Sequence, residues 1–163
     1  MKSLFSILWI GLLGIVLCSC GNDDDICDKG LGTPRMKVKF KTENNKLYQP
    51  DTLVIGVKLT NSEDIKTVVS AIKPDSVLVP LRVDDQTYTD LYIRTQPNNK
   101  AEQFSVVRVN YTPRSEYVSP ACGIRRLYND LKSSVTQSAS VKKVETNTSK
   151  IDNENPTHIY FIF

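Results

Sequence analysis

The chain has 163 residues, of which 40% are hydrophobic and 24% are charged, and its formal net charge is +3. This composition is close to the average of globular proteins, so it excludes wholesale disorder and is sufficient for one ordinary domain with a packed core. The charge is too small and too mixed to indicate a nucleic-acid-binding protein.

The N-terminus has the pattern of a secretory signal. Lys2 is followed by an almost unbroken apolar run over residues 4–17. As a helix this run spans about 21 Å, short of the roughly 30 Å bilayer core, so it predicts a signal peptide and not a permanent span. Leu17-Cys18-Ser19-Cys20 then resembles the lipobox of bacterial lipoproteins, with a large aliphatic residue at −3 and a small one at −1.

We therefore predict that residues 1–19 are removed and that Cys20 carries the lipid, including palmitate. Cys18 is a poorer lipidation site because the bulky Leu17 would stand at −1. A plain secretory signal without lipidation is the alternative. Two or three acyl chains anchor a protein durably, since each buried CH₂ contributes about 0.8 kcal/mol.

Residues 20–33 are predicted to connect the lipidated Cys to the folded domain. They contain Asp23, Asp24 and Asp25, which cannot pack into a core and indicate a solvated tether. The same acids also resemble the export signal that follows the lipidated Cys in surface-exposed lipoproteins of the Bacteroidota. Both interpretations stay open. A calcium site is disfavoured because the EF-hand spacing and its Gly are absent.

Two cysteines, Cys27 and Cys122, remain in the mature chain after Cys18 is removed and Cys20 is lipidated. An even pair in an exported protein favours a disulfide. Closing so long a loop contributes up to roughly 4–5 kcal/mol in the chain-entropy model. The alternative is two free thiols, and nothing in the sequence brings the single histidine, His158, near either of them.

Most of the mature chain has the pattern of short strands separated by turns. The clearest element is a hairpin over residues 75–94, with its turn at Asp84-Asp85-Gln86 and with Tyr88 and Tyr92 on the same outer face of its second strand. Pro80 lacks an N–H and is expected at an edge or a bulge. The other predicted strands are residues 35–41, 52–59, 103–112, 117–118, 141–145 and 158–163.

Three segments are less regular. Residues 62–73 and 123–131 fit either a helix or a strand, and residues 133–140 are predicted to be a loop. The run after His158 contains no polar residue and predicts a final strand buried on both faces. Residues 34–163 thus indicate an all-β fold, an antiparallel β-sandwich (Ig-like) of about seven to eight short strands.

Three segments occur in a recognisable order and spacing: Val77-Leu78-Val79-Pro80-Leu81, then Tyr117-Val118-Ser119-Pro120-Ala121-Cys122-Gly123, then residues 151–163. Together they resemble uncharacterised Bacteroidota lipoproteins that carry a domain of unknown function. The resemblance implies an outer-membrane lipoprotein with a β-rich domain. A Cys near the mature start and a late Cys-Gly recur in such proteins, which supports pairing of Cys27 with Cys122. It implies no activity and no catalytic residue.

The patterns of common catalytic, metal and nucleotide sites are absent from the sequence. There is no His-Glu-x-x-His, no Cys-x-x-Cys, no Gly-x-Gly-x-x-Gly and no phosphate-binding Gly-Lys-Ser/Thr. Asp84 and Asp85 fit a solvated turn better than a pair of catalytic carboxylates. We therefore predict a protein that is not an enzyme, with no metal, no cofactor and a structural His158.

The leading functional hypothesis is a membrane-anchored envelope lipoprotein whose domain meets another protein, such as an outer-membrane protein. It would lie in the outer membrane and face the periplasm or the cell surface. One alternative is a glycan-binding accessory module, which would use an exposed pair of Tyr88 and Tyr92. Another is a fimbrial or adhesive subunit, which predicts a removable N-terminal strand or an open groove.

Overall fold

A computed structural model describes residues 32–59, 62–99 and 101–163. In these residues the chain forms nine strands and no helix. The strands are β1 Met36–Lys41, β2 Thr52–Lys58, β3 Ile65–Ile72, β4 Ser76–Val79, β5 Tyr88–Arg94, β6 Ser105–Ser119, β7 Gly123–Gln137, β8 Lys143–Thr146 and β9 Ile159–Ile162.

The strands form two sheets, and their inner faces share the core. The smaller sheet has the order β4-β1-β9-β8, and the larger sheet has the order β3-β2-β5-β6-β7. All paired strands are antiparallel except β1 and β9, which run parallel. The predicted all-β sandwich is therefore confirmed, with nine strands instead of seven or eight and with one parallel pair.

Alternation along the strands explains which side chains reach the core. In β1 the apolar residues are buried and the intervening Lys residues are not, as the period of two requires. β5 likewise buries every second residue. Side chains from both sheets are fully buried together, among them Met36, Phe40, Leu53, Ile55, Leu91, Ile93, Tyr128, Ile159 and Phe161.

The hairpin predicted over residues 75–94 is wrong. β4 pairs with β1 in the smaller sheet, whereas β5 pairs with β2 and β6 in the larger one. Pro80 directly follows β4 and cannot donate an N–H to continue it, so residues 80–87 cross from one sheet to the other.

The expectation that Pro80 lies at an edge is correct, because β4 is an edge strand. The predicted faces of β5 are also correct, with Thr89, Leu91 and Ile93 inward.

The two undecided segments are both strands. Residues 65–72 of the first form β3, and residues 123–131 belong to β7. The loop predicted over residues 133–140 is wrong up to Gln137, where β7 ends. Its polar side chains are tolerated because β7 is an edge strand of the larger sheet and exposes them to solvent. The short strand predicted at 117–118 is the last part of β6.

The C-terminal strand lies inside the smaller sheet, between β1 and β8. Ile159, Phe161 and Ile162 are buried, and Tyr160 is half-buried. Burial on both faces is thus confirmed for most of the strand. Phe161 and Phe163 both pack against Phe40, with ring centroids 6.4 and 6.1 Å away.

The sandwich has two distinct ends. We call the end where residues 32–35 lead into β1 the entry end; it also carries the crossing segment 80–87. The far end carries the turn over residues 42–51 and the C-terminal residue Phe163.

β6 and β7 are much longer than the other strands and extend past the entry end. β5 pairs with β6 only as far as Asn110, opposite its first residue, Tyr88. Beyond that point β6 and β7 continue over residues 112–129, which we call the ribbon. The base of the ribbon still packs on the sandwich, because Tyr128 is fully buried and its backbone is bridged to Ile151. A bulge separates the ribbon from the sandwich, and Asp130 within it has φ of 53°.

Candidate functional site

Most of the predicted site residues lie outside the described residues. These are Cys20, the acidic run 23–25 and Cys27, whose roles stay predictions. Cys122 is described, in the turn between β6 and β7, where its backbone N–H donates to Ser119 Oγ at 3.1 Å. Cys122 is disulfide-bonded. Its pairing with Cys27 stays a prediction because Cys27 is not described.

The first described residues are held firmly at the entry end. Thr33 Oγ1 accepts a hydrogen bond from the backbone N–H of Arg126 in the ribbon at 2.9 Å. Arg35 donates to Glu154 from its backbone N–H, Nε and Nη2 at 2.8–3.0 Å. The hydrogen bonds from Arg35 lower the pKa of Glu154 below its ordinary value. Thr33, near the start of the described chain, therefore lies beside the ribbon.

The tip of the ribbon is apolar and exposed. Tyr117 and Ile124 are direct cross-strand partners, and they are 65% and 68% exposed. Next to them, Arg125 Nε donates to Glu116 Oε1 at 2.9 Å, and this contact lowers the pKa of Glu116. Glu116 is also paired with Arg114 at 3.4 Å, so the tip presents two large hydrophobic side chains beside two arginines that share one carboxylate.

The base of the ribbon is tied to the crossing segment by Arg126. Its Nε donates to the Val83 carbonyl at 3.0 Å, its Nη2 donates to the Asp84 carbonyl at 3.2 Å, and it forms an ion pair with Asp85. Asp84 is itself paired with Arg82. The two adjacent acids predicted to be turn residues therefore hold structural contacts at the entry end.

The outer face of the larger sheet carries a second surface feature around Tyr88. Arg108 and Asp90 are cross-strand partners and form a two-pronged ion pair at 2.7 Å for each hydrogen bond. The guanidinium of Arg108 also lies over the Tyr88 ring, 4.3 Å from its centroid. This group of three side chains combines an aromatic ring with a fixed pair of charges.

Tyr92 lies on the same outer face, as predicted, but it does not form an open aromatic platform with Tyr88. Its half-buried ring packs edge-on against Phe104 at 5.8 Å, and Lys58 lies 5.6 Å from its centroid. Arg108 covers one face of Tyr88. A sugar ring needs an uncovered aromatic face, so this arrangement favours cross-strand packing over glycan stacking.

A cavity of about 310 Å³ opens between the crossing segment and β2–β3. It is lined mainly by apolar side chains, including Val57, Leu81 and Val83. The polar residues of its lining already have partners within the chain. Lys58 pairs with Glu63, and Arg82 pairs with Asp84. Thr89 Oγ1 is bonded to the Tyr111 hydroxyl at 2.8 Å and to the Arg82 N–H at 3.2 Å. The polar side chains of this lining are therefore engaged within the fold, whereas a ligand site needs polar groups that orient the ligand.

His158 is fully buried and completes the pairing between β1 and β9. Its backbone N–H donates to the Lys37 carbonyl at 2.9 Å, and its Nδ1 accepts the Lys37 N–H at 2.8 Å. Burial is the main cause that lowers the pKa of His158 below 6.5. A neutral imidazole is consistent with Nδ1 acting as an acceptor. Within the described ranges no group of three or more metal-ligating side chains occurs.

The described part of the chain contains no helix that is long and apolar enough to cross a membrane.

The sequence analysis did not identify the Tyr117–Ile124 pair or the contact between Thr33 and Arg126. A signal for the pair exists, since the two residues lie at nearly equal distances from the turn Pro120-Ala121-Cys122. The contact of Thr33 with the ribbon has no local signal, because it joins residues 93 positions apart.

The fold and its surfaces define a β-sandwich domain with a projecting ribbon. A comparison with protein-family models matches residues 51–163 to DUF6452, a family of unknown function. The match covers more than half of the chain, and the chain belongs to this family. Comparisons with curated proteins and with solved structures find no match. The predicted domain of unknown function is thereby confirmed, while the Bacteroidota origin and the lipidation stay predictions.

Proposed function

We propose that this chain is a lipid-anchored lipoprotein of the bacterial outer membrane. Its sandwich would be a non-enzymatic module that binds another envelope protein. The observation that carries the proposal is the attachment of residues 33–35 at the entry end. A lipid on Cys20 would attach the domain through this end, and the chain from Cys20 to Thr33 extends at most about 45 Å.

The anchor is tested by replacing Cys20 and Cys18 separately. Cys20→Ser removes the proposed acyl acceptor, so we expect loss of palmitate labelling and release of the protein from the membrane fraction. Cys18→Ser is the matched control, because Cys18 is proposed to leave with the signal peptide. Retention of label in Cys20→Ser, or its loss in Cys18→Ser alone, contradicts the proposal.

The outer face around Tyr88 is the proposed contact for the protein partner. Tyr and Arg are enriched in the cores of protein interfaces, and Arg108 is already held in place by Asp90, so little side-chain freedom is lost on binding. With the entry end held at the membrane, this face stands along the side of the domain. It is therefore within reach of an integral outer-membrane protein.

The partner surface is tested by photo-crosslinking in intact cells that express the protein. Tyr88 is replaced by p-benzoylphenylalanine, and Tyr48 at the far end is the matched control because the two side chains are 36% and 37% exposed. We expect a discrete crosslinked band of an outer-membrane protein from position 88 and not from position 48. No band from position 88, or the same bands from both positions, contradicts the proposed contact.

A further inference from the structure

We infer that the tip of the ribbon is a membrane-contacting element, in which Tyr117 and Ile124 enter the interfacial layer of the bilayer. The inference rests on the proposed lipid anchor and extends it. The exposed hydrophobic pair would contact a lipid surface. It also gives the domain a defined orientation on the membrane.

The first argument is the position of the tether. Thr33 is bonded to Arg126, which is only two residues from Ile124 along β7. Thr33, near the start of the described chain, and the ribbon therefore lie at the same end of the sandwich. From Asn110, the last residue paired with β5, the ribbon reaches about 23 Å to Tyr117 at the rise of a β-strand. The tip is thus positioned to meet the surface that holds the lipid.

The second argument is the chemistry of the tip. Tyrosine is favoured at the membrane–water boundary because its ring is apolar and its hydroxyl is polar, and isoleucine is favoured in the apolar layer. The charges beside the tip are two arginines, Arg114 and Arg125, that share the carboxylate of Glu116. This group keeps one positive charge, which does not oppose an approach to the phosphate groups of lipid headgroups.

Exposure alone does not distinguish the tip from other surface positions. Ile72 is 82% exposed, and it lies at the far end of the sandwich, where β3 ends beside the first residue of β2. An anchor at the entry end keeps Ile72 away from the bilayer. Ile72 is therefore a matched control, since it has the same side chain and a comparable exposure in the opposite location.

The test uses tryptophan as a reporter in the full lipidated protein. The only tryptophan of the chain, Trp9, lies in the predicted signal peptide. The mature protein is therefore expected to have no tryptophan fluorescence of its own. Ile124→Trp and Ile72→Trp are purified from membranes and reconstituted in phosphatidylcholine vesicles with or without brominated acyl chains. We expect a blue-shifted emission and at least two-fold quenching by brominated lipid for Ile124→Trp, and neither for Ile72→Trp.

The possible outcomes separate this inference from the proposed function. If both variants stay with the vesicles but Ile124→Trp is not quenched, the anchor stands and the membrane-contacting tip is refuted. A blue shift without quenching shows that the tip contacts another copy of the protein, which also refutes it. If the protein does not stay with the vesicles at all, the lipid anchor fails and the inference fails with it. Tyr117→Trp provides a second reporter on the partner strand and should behave like Ile124→Trp.

Discussion

His158 illustrates how a single side chain can substitute for part of the backbone. Its Nδ1 accepts the Lys37 N–H just before β9 begins, at a position where a strand carbonyl would otherwise be the acceptor. Its buried Nε2 has no hydrogen-bond partner among the described residues. The sequence could predict a structural role because no catalytic pattern surrounds His158. It could not identify Lys37 as the partner, since the two residues are 121 positions apart.

The lowered pKa of His158 makes the stability of the domain depend on pH. In the unfolded chain His158 is protonated with a pKa near 6.5, whereas its pKa in the folded protein is lower. The neutral imidazole therefore stabilises the fold fully above pH 6.5, and this stabilisation is lost as the pH falls below that value. We expect the free energy of unfolding to decrease by up to about 1.4 kcal/mol per pH unit below pH 6.5. Urea denaturation at several values between pH 5 and 7.5 measures this slope.

The control for this measurement is His158→Asn, which retains an acceptor near the position of Nδ1 and does not titrate. Because His158 is the only histidine of the chain, the slope between pH 5.5 and 6.5 should nearly vanish in the variant. An equal slope in both proteins would show that the pH dependence has another origin.

At the scale of elements, the sequence predicted strands better than it predicted their partners. The alternation in β1 and β5 identified the buried faces correctly, because one face of each strand packs against the other sheet. The same alternation is compatible with a hairpin or with a crossing between sheets. The residue types at positions 80–87 do not distinguish a hairpin turn from a crossing between sheets. The predicted pairing of β4 with β5 was therefore wrong.

The bulge at the base of the ribbon depends on the backbone of Asp130, whose φ of 53° lies in the left-handed region. A β-branched residue is strongly disfavoured there, whereas Gly is not. We expect Asp130→Val to lower the free energy of unfolding by about 1–2 kcal/mol and Asp130→Gly not to lower it. Urea denaturation of the two variants provides the comparison.

Lys132→Val is the matched control for this prediction, because Lys132 is also exposed on β7 and its φ is not positive. Valine is favoured in strands, so no loss of stability is expected at that position. Equal destabilisation by Val at positions 130 and 132 would indicate that backbone strain is not the cause.

At the scale of the whole molecule, the matched family region and the fold do not begin at the same residue. The match starts at Asp51, but β1 lies inside the smaller sheet between β4 and β9 and buries Met36, Val38 and Phe40. β1, which precedes the matched region, is therefore part of the sandwich. The sequence predicted the sandwich from the number of strands, but it could not show that Thr33 and the ribbon lie at the same end.

We propose that a lipid on Cys20 anchors the domain at its entry end. Mass spectrometry of the protein purified from membranes tests it most directly, after trypsin digestion without reduction. Cleavage after Lys29, Arg114 and Arg125 should release peptide 20–29 with an acylated N-terminal cysteine, joined by a disulfide to peptide 115–125. A mature N-terminus at another residue, or a peptide 20–29 without acyl chains, would contradict the account.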